Sequence, residues 1–321
     1  MQAWRIQDDH TLKLDHTESP EPGVGQIRVK VEAAGVNRAD IMQVQGLYPA
    51  PPGFDNSVPG LEYAGVIDAV GDGVMKRKVG DRVMGLIPSG AYAGQVVVHE
   101  REALTLPDEL SFAEGATLPE AFLTAYRGLF LEGGLQPGQW CLIRPATAGV
   151  GLAATQLAST LGARPIGTSR DLDNLATARD MGLLEAVVED DNLPDRLLEI
   201  TGEGVAVMLD MVGPDWKNLL KGLRIEGKLV MLSALAGATT ELNLRALIAR
   251  RPTMMAMTMR SQPLEKRIAI AEVFNDRLAP LFANGRLKPL PLKSFPFSDA
   301  QAAHTHMVED SFSGKRVLVT E

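Results

Sequence analysis

Residues 140–154, WCLIRPATAGVGLAA, constrain this chain most. An apolar run, Trp140 to Ile143, enters a turn of small residues, after which Leu152, Ala153, Leu157 and Leu161 recur at helical spacing. A buried strand, a small-residue turn and a helix start form the arrangement in which a dinucleotide pyrophosphate lies against free helix N–H groups. Two registers fit. From Gly149, GVGLAA satisfies G-x-G-x-x-G/A; from Ala146, ATAGVG is a variant with alanine where two glycines are usual. The same residues also read as an ordinary strand-to-helix turn, and the flanking strand and helix are what favour cofactor binding by Ala146, Thr147, Ala148, Gly149, Val150 and Gly151.

At 321 residues and a hydrophobic fraction of 45%, two domains with separate cores are the natural expectation. A formal net charge of −8 without any Lys/Arg-rich block argues against a nucleic-acid partner. The single cysteine, Cys141, excludes an intrachain disulfide and a CxxC-type zinc site. MQAWRIQDDH at the N-terminus has no apolar core of signal-peptide length, and no run of about 18 apolar residues follows, so the expectation is a cytoplasmic chain with no membrane partner.

The chain changes character near residue 115. Before it, β-like runs at 27–33, 64–70, 82–86 and 95–98 are separated by Gly/Pro turns such as EPGVG and PAPPG, which predicts a barrel-like β domain. After it, strands alternate with helices in units of about 25 to 30 residues, which predicts a doubly wound parallel sheet in an α/β protein. SFAE at 111–114 reads as a capping box, and helix is expected over 119–131 and 264–283. The methionines Met254, Met255, Met257 and Met259 read as a buried strand, and the five histidines read as surface residues.

Six motifs occur in the order found in the medium-chain dehydrogenase/reductase superfamily: GVNRAD (35–40), QGLYPAPPG (45–53), PGLEYAG (59–65), VGDRVMGL (79–86), LPEAFLTAY (118–126) and the AGVG turn. The chain resembles the zinc-free quinone oxidoreductase branch, most closely the p53-inducible type, whose LPEAxLTA segment it shares. The resemblance implies a GroES-like catalytic domain formed by residues 1–117 and 263–321, with a Rossmann cofactor domain, 118–262, inserted. In the zinc enzymes that the same motifs resemble, metal ligands occupy the positions of Asn37, Leu61 and Glu120. An Asn/Leu/Glu set is not a zinc site, so no metal is expected. Glu62 and Glu120 read as internal partners of backbone or of Arg and Lys side chains, with a hard-cation site as the alternative.

Without a Lewis acid an alcohol is hard to deprotonate at neutral pH. Hydride is then expected to pass from a reduced nicotinamide to a quinone or enone, whose conjugation carries the developing charge to an oxygen. The resemblance puts Asn37 in the vacated metal position and Tyr48 near nicotinamide and substrate, and both are the expected catalytic residues; a turn residue and a loop aromatic packed on prolines are the plainer alternatives.

NADPH is the expected cofactor. Ser169 stands where an acidic residue would bind the ribose of NAD, and Arg170 follows it. Asn174 in place of a usual lysine, and the acidic Glu189 and Asp190, weigh the other way. The resemblance adds Thr124 from the LPEAFLTAY segment, together with Ser233, Ala234, Thr258, Met259 and Arg260 along the nicotinamide side and Lys315 facing the cleft. A homodimer through the methionine strand is also expected, since an apolar edge strand is hazardous when bare. A 2-alkenal or enoyl-thioester reductase is the alternative enzyme, and a crystallin-like or RNA-binding role the alternative to catalysis.

Overall fold

A computed structural model describes residues 1–310 and 312–320. Two compact units emerge, Met1–Leu123 with Met259–Glu321, and Thr124–Thr258. The division falls inside the helix Pro119–Tyr126 and directly after Thr258, later and earlier respectively than the sequence boundaries at 117/118 and 262/263.

The first unit opens with a short antiparallel pair, β1 (Gln2–Ile6) and β2 (Leu12–His16). Its centre is β3 (Gln26–Val36), which pairs antiparallel with β4 (Glu62–Val70) and, at its start, with β6 (Gln95–His99). The ladder continues from β4 through β5 (Arg82–Leu86) to β7 (Leu104–Thr105). Alternation along β3 sends Ile27, Val29 and Val31 into a core shared with Tyr63, Ile67, Val83 and Tyr92.

The second unit is a six-stranded, all-parallel sheet of β8 (Trp140–Arg144), β9 (Arg164–Ser169), β10 (Glu185–Val188), β11 (Val205–Asp210), β12 (Leu223–Met231) and β13 (Thr253–Ala256). Its order is β10-β9-β8-β11-β12-β13, so the order reverses at β8, whose C-terminal end is the place where such sheets take ligands. The chain then returns to the first unit. A helix, Leu264–Val273, runs through a π turn into Ala279–Ala283, and β14 (Leu292–Pro296) lies parallel to β15 (Lys315–Val319), which pairs antiparallel with the end of β3.

Three differences from the sequence reading have local causes. The helices Arg38–Val44 and Leu244–Arg250 and the β1–β2 pair are too short to show a period, and the second helix buries none of its residues. The methionine strand is β13, at the edge of the sheet as expected, but Met254 and Met255 are half-buried where the cluster read as buried. His304 is not on the surface but packed beside Tyr92 at 5% exposure.

The helix Gly149–Thr160 starts immediately after the turn, with Ala148 as its N-cap. A Cβ on Gly151 would stand 2.3 Å from the Pro145 carbonyl oxygen and 2.8 Å from the Ala146 Cα. That close approach belongs to the third glycine of the fingerprint, so the register is ATAGVG, with Ala146 and Ala148 in the first two positions. Gly151→Ala should destabilise the protein by about 1 to 3 kcal/mol through overpacking, whereas Ala148→Gly at the cap should change stability by less than about 1 kcal/mol. Denaturant unfolding of the two variants separates these outcomes.

Candidate active site

Strand register brings three sequence-distant polar residues together. Val36 lies opposite Arg316 and Gly35 opposite Glu62, so the next residue along β3, Asn37, meets Lys315 from one side and Glu62 from the other. Gly35 has to be glycine here, because a Cβ would stand 2.2 Å from Glu62 Oε1 and 2.3 Å from the Ala116 carbonyl oxygen. The Lys315 ammonium donates to both Asn37 Oδ1 and Glu62 Oε1, and Asn37 Nδ2 donates to Glu62 Oε1 at 2.9 Å. Glu62 Oε2 accepts the backbone N–H of Glu120 at 2.9 Å, in the first turn of the helix Pro119–Tyr126. All three side chains are buried, Glu62 completely.

Leu61 is a buried apolar side chain, and Asn37 is bonded to the Lys315 ammonium. Among the described residues no group of three His, Cys, Asp or Glu side chains could hold a metal ion. Glu62 is the internal partner of lysine and backbone that its plainer reading anticipated. Lys315, expected to face the cleft, places its ammonium on Glu62 and Asn37.

Asn37 also caps the helix Arg38–Val44, and Asp40 closes the capping box by accepting the Asn37 N–H at 2.7 Å. Sequence reading missed this helix although N-x-x-D is a usable start signal. The inward face carries Asp40 and Gln43, both buried. Tyr92 Oη lies 3.3 Å from Asp40 Oδ2 and 3.1 Å from His304 Nε2, while Asp40 Oδ1 is buried without a hydrogen-bond partner among the described residues. Burial raises the Asp40 carboxyl to about 7, opposed by its bond from Asn37 and by the charge of Lys315. Burial lowers His304 to about 4.

Tyr48, half-buried in the Pro-rich loop, lies beneath the Arg260 guanidinium, 4.8 Å from its ring centroid, rather than being only a loop aromatic on prolines. Arg260 was expected along the nicotinamide side. It is buried, and its three nitrogens donate to Pro88 O, Tyr48 O and Gln43 Oε1.

In the second unit, Ala146 N bonds the Thr168 carbonyl at 3.0 Å, which fixes the turn against β9. Thr147, Ala148, Gly149 and Val150 stay partly open, and no side chain caps the helix N-terminus that they lead into. Thr124 Oγ1 and Thr168 Oγ1 are buried hydroxyls with no partner among the described residues. Small residues, free helix N–H groups and an orphaned hydroxyl suit a dinucleotide. Ser169 is buried at the end of β9, and Arg170 beside it is exposed with neither hydrogen bond nor ion pair among the described residues. Ser233, half-buried, and the exposed Ala234 follow β12; Thr258 and Met259, half-buried, follow β13.

The acidic pair that counted against NADPH is neutralised locally. Glu189 bonds Arg144 at 2.5 Å, and Asp190 bonds Arg196 at 2.5 Å. Arg144, which sequence reading treated only as the start of the turn, is a buried hub at the end of β8 that also donates to Asp210 and to the Gly213 carbonyl.

Residues 23–108 match the alcohol dehydrogenase GroES-like domain family, and residues 149–275 the zinc-binding dehydrogenase family. The quinone oxidoreductase of Pseudomonas aeruginosa is 33% identical over 318 residues, covering 96% of this chain and 95% of that protein. This chain belongs to the medium-chain dehydrogenase/reductase superfamily. It is an oxidoreductase of the quinone oxidoreductase type. The human synaptic vesicle membrane protein VAT-1 homolog is 31% identical, over 94% of this chain and 80% of that one; no described helix here is long and apolar enough to cross a membrane. Among solved structures, the quinone oxidoreductase of Pseudomonas syringae superposes with a TM-score of 0.87 at 31% identity, over 99% of both chains. That of Thermus thermophilus, solved also with NADPH, gives 0.84 at 28%, over 99% of this chain and all of that one. The JamJ enoyl reductase gives 0.88 at 25%, over all of this chain and 99% of that one.

Two measurements test this electrostatic reading. Removing one partner of a buried ion pair strands the other, so Lys315→Met should cost about 3 to 5 kcal/mol of stability, and Lys315→Met with Glu62→Gln should recover part of it. Urea unfolding of the single and double variants decides. Asp40, with its folded value above its unfolded one, favours the fold at low pH, and that contribution is lost as pH rises through about 7. Asp40→Asn should therefore gain stability relative to the parent between pH 5 and pH 8, on the order of 2 kcal/mol. Parallel stability profiles for the two proteins would contradict the assignment.

Proposed function

We propose that this chain is an NADPH-dependent, zinc-independent reductase of quinones and related conjugated carbonyls. The observation that carries the reading is the Lys315–Glu62–Asn37 network, a buried protein cation paired to a carboxylate at the asparagine that the resemblance puts in the vacated metal position. Such a site has no means of activating an alcohol as a metal does, and it suits an acceptor that is electrophilic by itself. Bound NADPH supplies the hydride. Asn37 keeps one Nδ2 hydrogen beyond its bond to Glu62, and with the Tyr48 phenol it offers hydrogen bonds to the acceptor oxygen as charge develops there.

On this reading residues 146–151 and the helix N-terminus receive the pyrophosphate, and Thr124, Ser233, Ala234, Thr258 and Met259 flank the cofactor. Arg170, exposed beside Ser169, takes the 2′-phosphate. An enoyl-thioester or 2-alkenal reductase is the second reading, favoured by the likeness to the JamJ enoyl reductase. For the assembly we infer a homodimer: β13 is an edge strand, and Leu244 and Ile248 beside it in sequence are 69% and 76% exposed. We also infer a cytoplasmic setting, from the lone buried Cys141.

Purified protein should oxidise NADPH with para- or ortho-quinones and leave saturated alcohols untouched with NADP; a rate confined to linear enones would select the second reading. Arg170→Ala should weaken NADPH binding by about 1.5 to 3 kcal/mol and barely change NADH binding. Equal effects on the two cofactors, read by calorimetry, would remove Arg170 from the phosphate site. Light scattering at micromolar concentration should give twice the chain mass, and a monomer would refute the edge-strand dimer.

A further inference from the structure

We propose that Arg260 and Gln43 are the positioning pair for Tyr48, Arg260 gripping the backbone of the tyrosine and Gln43 tying that grip to the far end of the same loop. This rests on the reading above, in which Tyr48 serves the acceptor.

Tyr48 sits in an open stretch: Gln45, Gly46, Leu47 and Pro49 are all exposed, Leu47 at 68%. Where the loop begins, the N–H groups of Leu47 and Tyr48 both donate to the Met42 carbonyl, at 2.8 and 3.2 Å. Further on, the Asn56 side chain accepts the Ala50 N–H at 2.6 Å. From the buried side Arg260 reaches in, only 4% exposed, with Nη1 on the Tyr48 carbonyl at 2.5 Å and Nε on the Pro88 carbonyl at 2.6 Å. Its Nη2 donates to Gln43 Oε1. Gln43, 1% exposed, uses its own amide hydrogens on the Asn56 carbonyl at 3.1 Å and on Ser89 Oγ at 2.9 Å. The path from Tyr48 through Arg260, Gln43 and Asn56 therefore closes on the loop in which it began.

The chemistry of the pair singles it out from ordinary packing. Among the described residues Arg260 makes no ion pair with a carboxylate, so its desolvation is only partly offset, and an apolar side chain would serve stability as well. What a guanidinium adds is a planar fork that meets three acceptors at fixed angles, which the point charge of lysine does not reproduce. It also lays a cation over the ring of Tyr48, restricting ring and backbone together.

The test uses Arg260→Lys, which keeps the charge, and Gln43→Ala, which leaves Arg260 in place. Each should raise amide hydrogen exchange over residues 46–58 while the β3–β4 ladder stays protected. Each should also lower kcat/KM for the reduced acceptor by about ten- to a hundredfold, because small misplacements of a positioned group have effects of that size. In a Tyr48→Phe background the same substitutions should change kcat/KM less than about twofold, since the group being positioned is gone. Equal effects in both backgrounds, or unchanged exchange in the loop, would overturn the proposal. If Tyr48→Phe alone leaves the rate intact while the loop still loosens in Arg260→Lys, the functional role of Tyr48 fails and the grip stands.

Discussion

A lysine near the end of the chain, held between an asparagine and a glutamate from its first quarter, is the interaction on which the first unit depends. Lys315 can reach Glu62 and Asn37 because β15 closes antiparallel against β3, and Glu62 can lie flat across β3 because Gly35 has no side chain. The same carboxylate takes the N–H of Glu120, so the start of the helix Pro119–Tyr126 is tied to the strands. The strands β3, β4 and β15 and a helix start thus converge on one buried charge pair. Such a pair stabilises little compared with an apolar core of the same shape, but losing either member is costly. What it does supply is a cation, fixed and already neutralised, against the Asn37 amide.

The second unit solves a different problem, keeping a small-residue turn open. Arg144 ends β8 and is clamped by Glu189 and Asp210, while Asp210 also accepts the indole N–H of Trp216 at 2.7 Å and the backbone N–H of Val212 at 2.9 Å. The strand ends around the turn are held by side-chain bonds that lie below it. The turn itself is left with backbone N–H groups and small side chains, as an anion site needs.

Much of this was legible in the sequence. Periodicity and Gly/Pro punctuation placed most strands, because buried parallel strands such as β8 and β11 are continuous apolar runs. Motif order implied the family. What sequence could not give was direction. The resemblance put Lys315 by the cleft and Arg260 along the nicotinamide side but could not name their partners: β15 on β3 brings Lys315 to Glu62 and Asn37, and Arg260 meets Tyr48, Pro88 and Gln43. Nor could spacing reveal Gln43, whose role exists only through Arg260, or the burial of His304 beside Tyr92, since each contact joins residues far apart in the chain. The pairing of Glu189 with Arg144 and of Asp190 with Arg196 was hidden for a similar reason, since no local pattern connects them.

The central claim is that a buried lysine–carboxylate–amide network replaces a catalytic metal. The most direct measurement is single-turnover reduction of a para-quinone by NADPH, using protein dialysed against a strong chelator and assayed for bound metal by mass spectrometry. The account predicts an undiminished rate at far less than one metal ion per chain, and no gain when zinc is returned. A rate that vanishes with the chelator and recovers in proportion to one zinc per chain would contradict it.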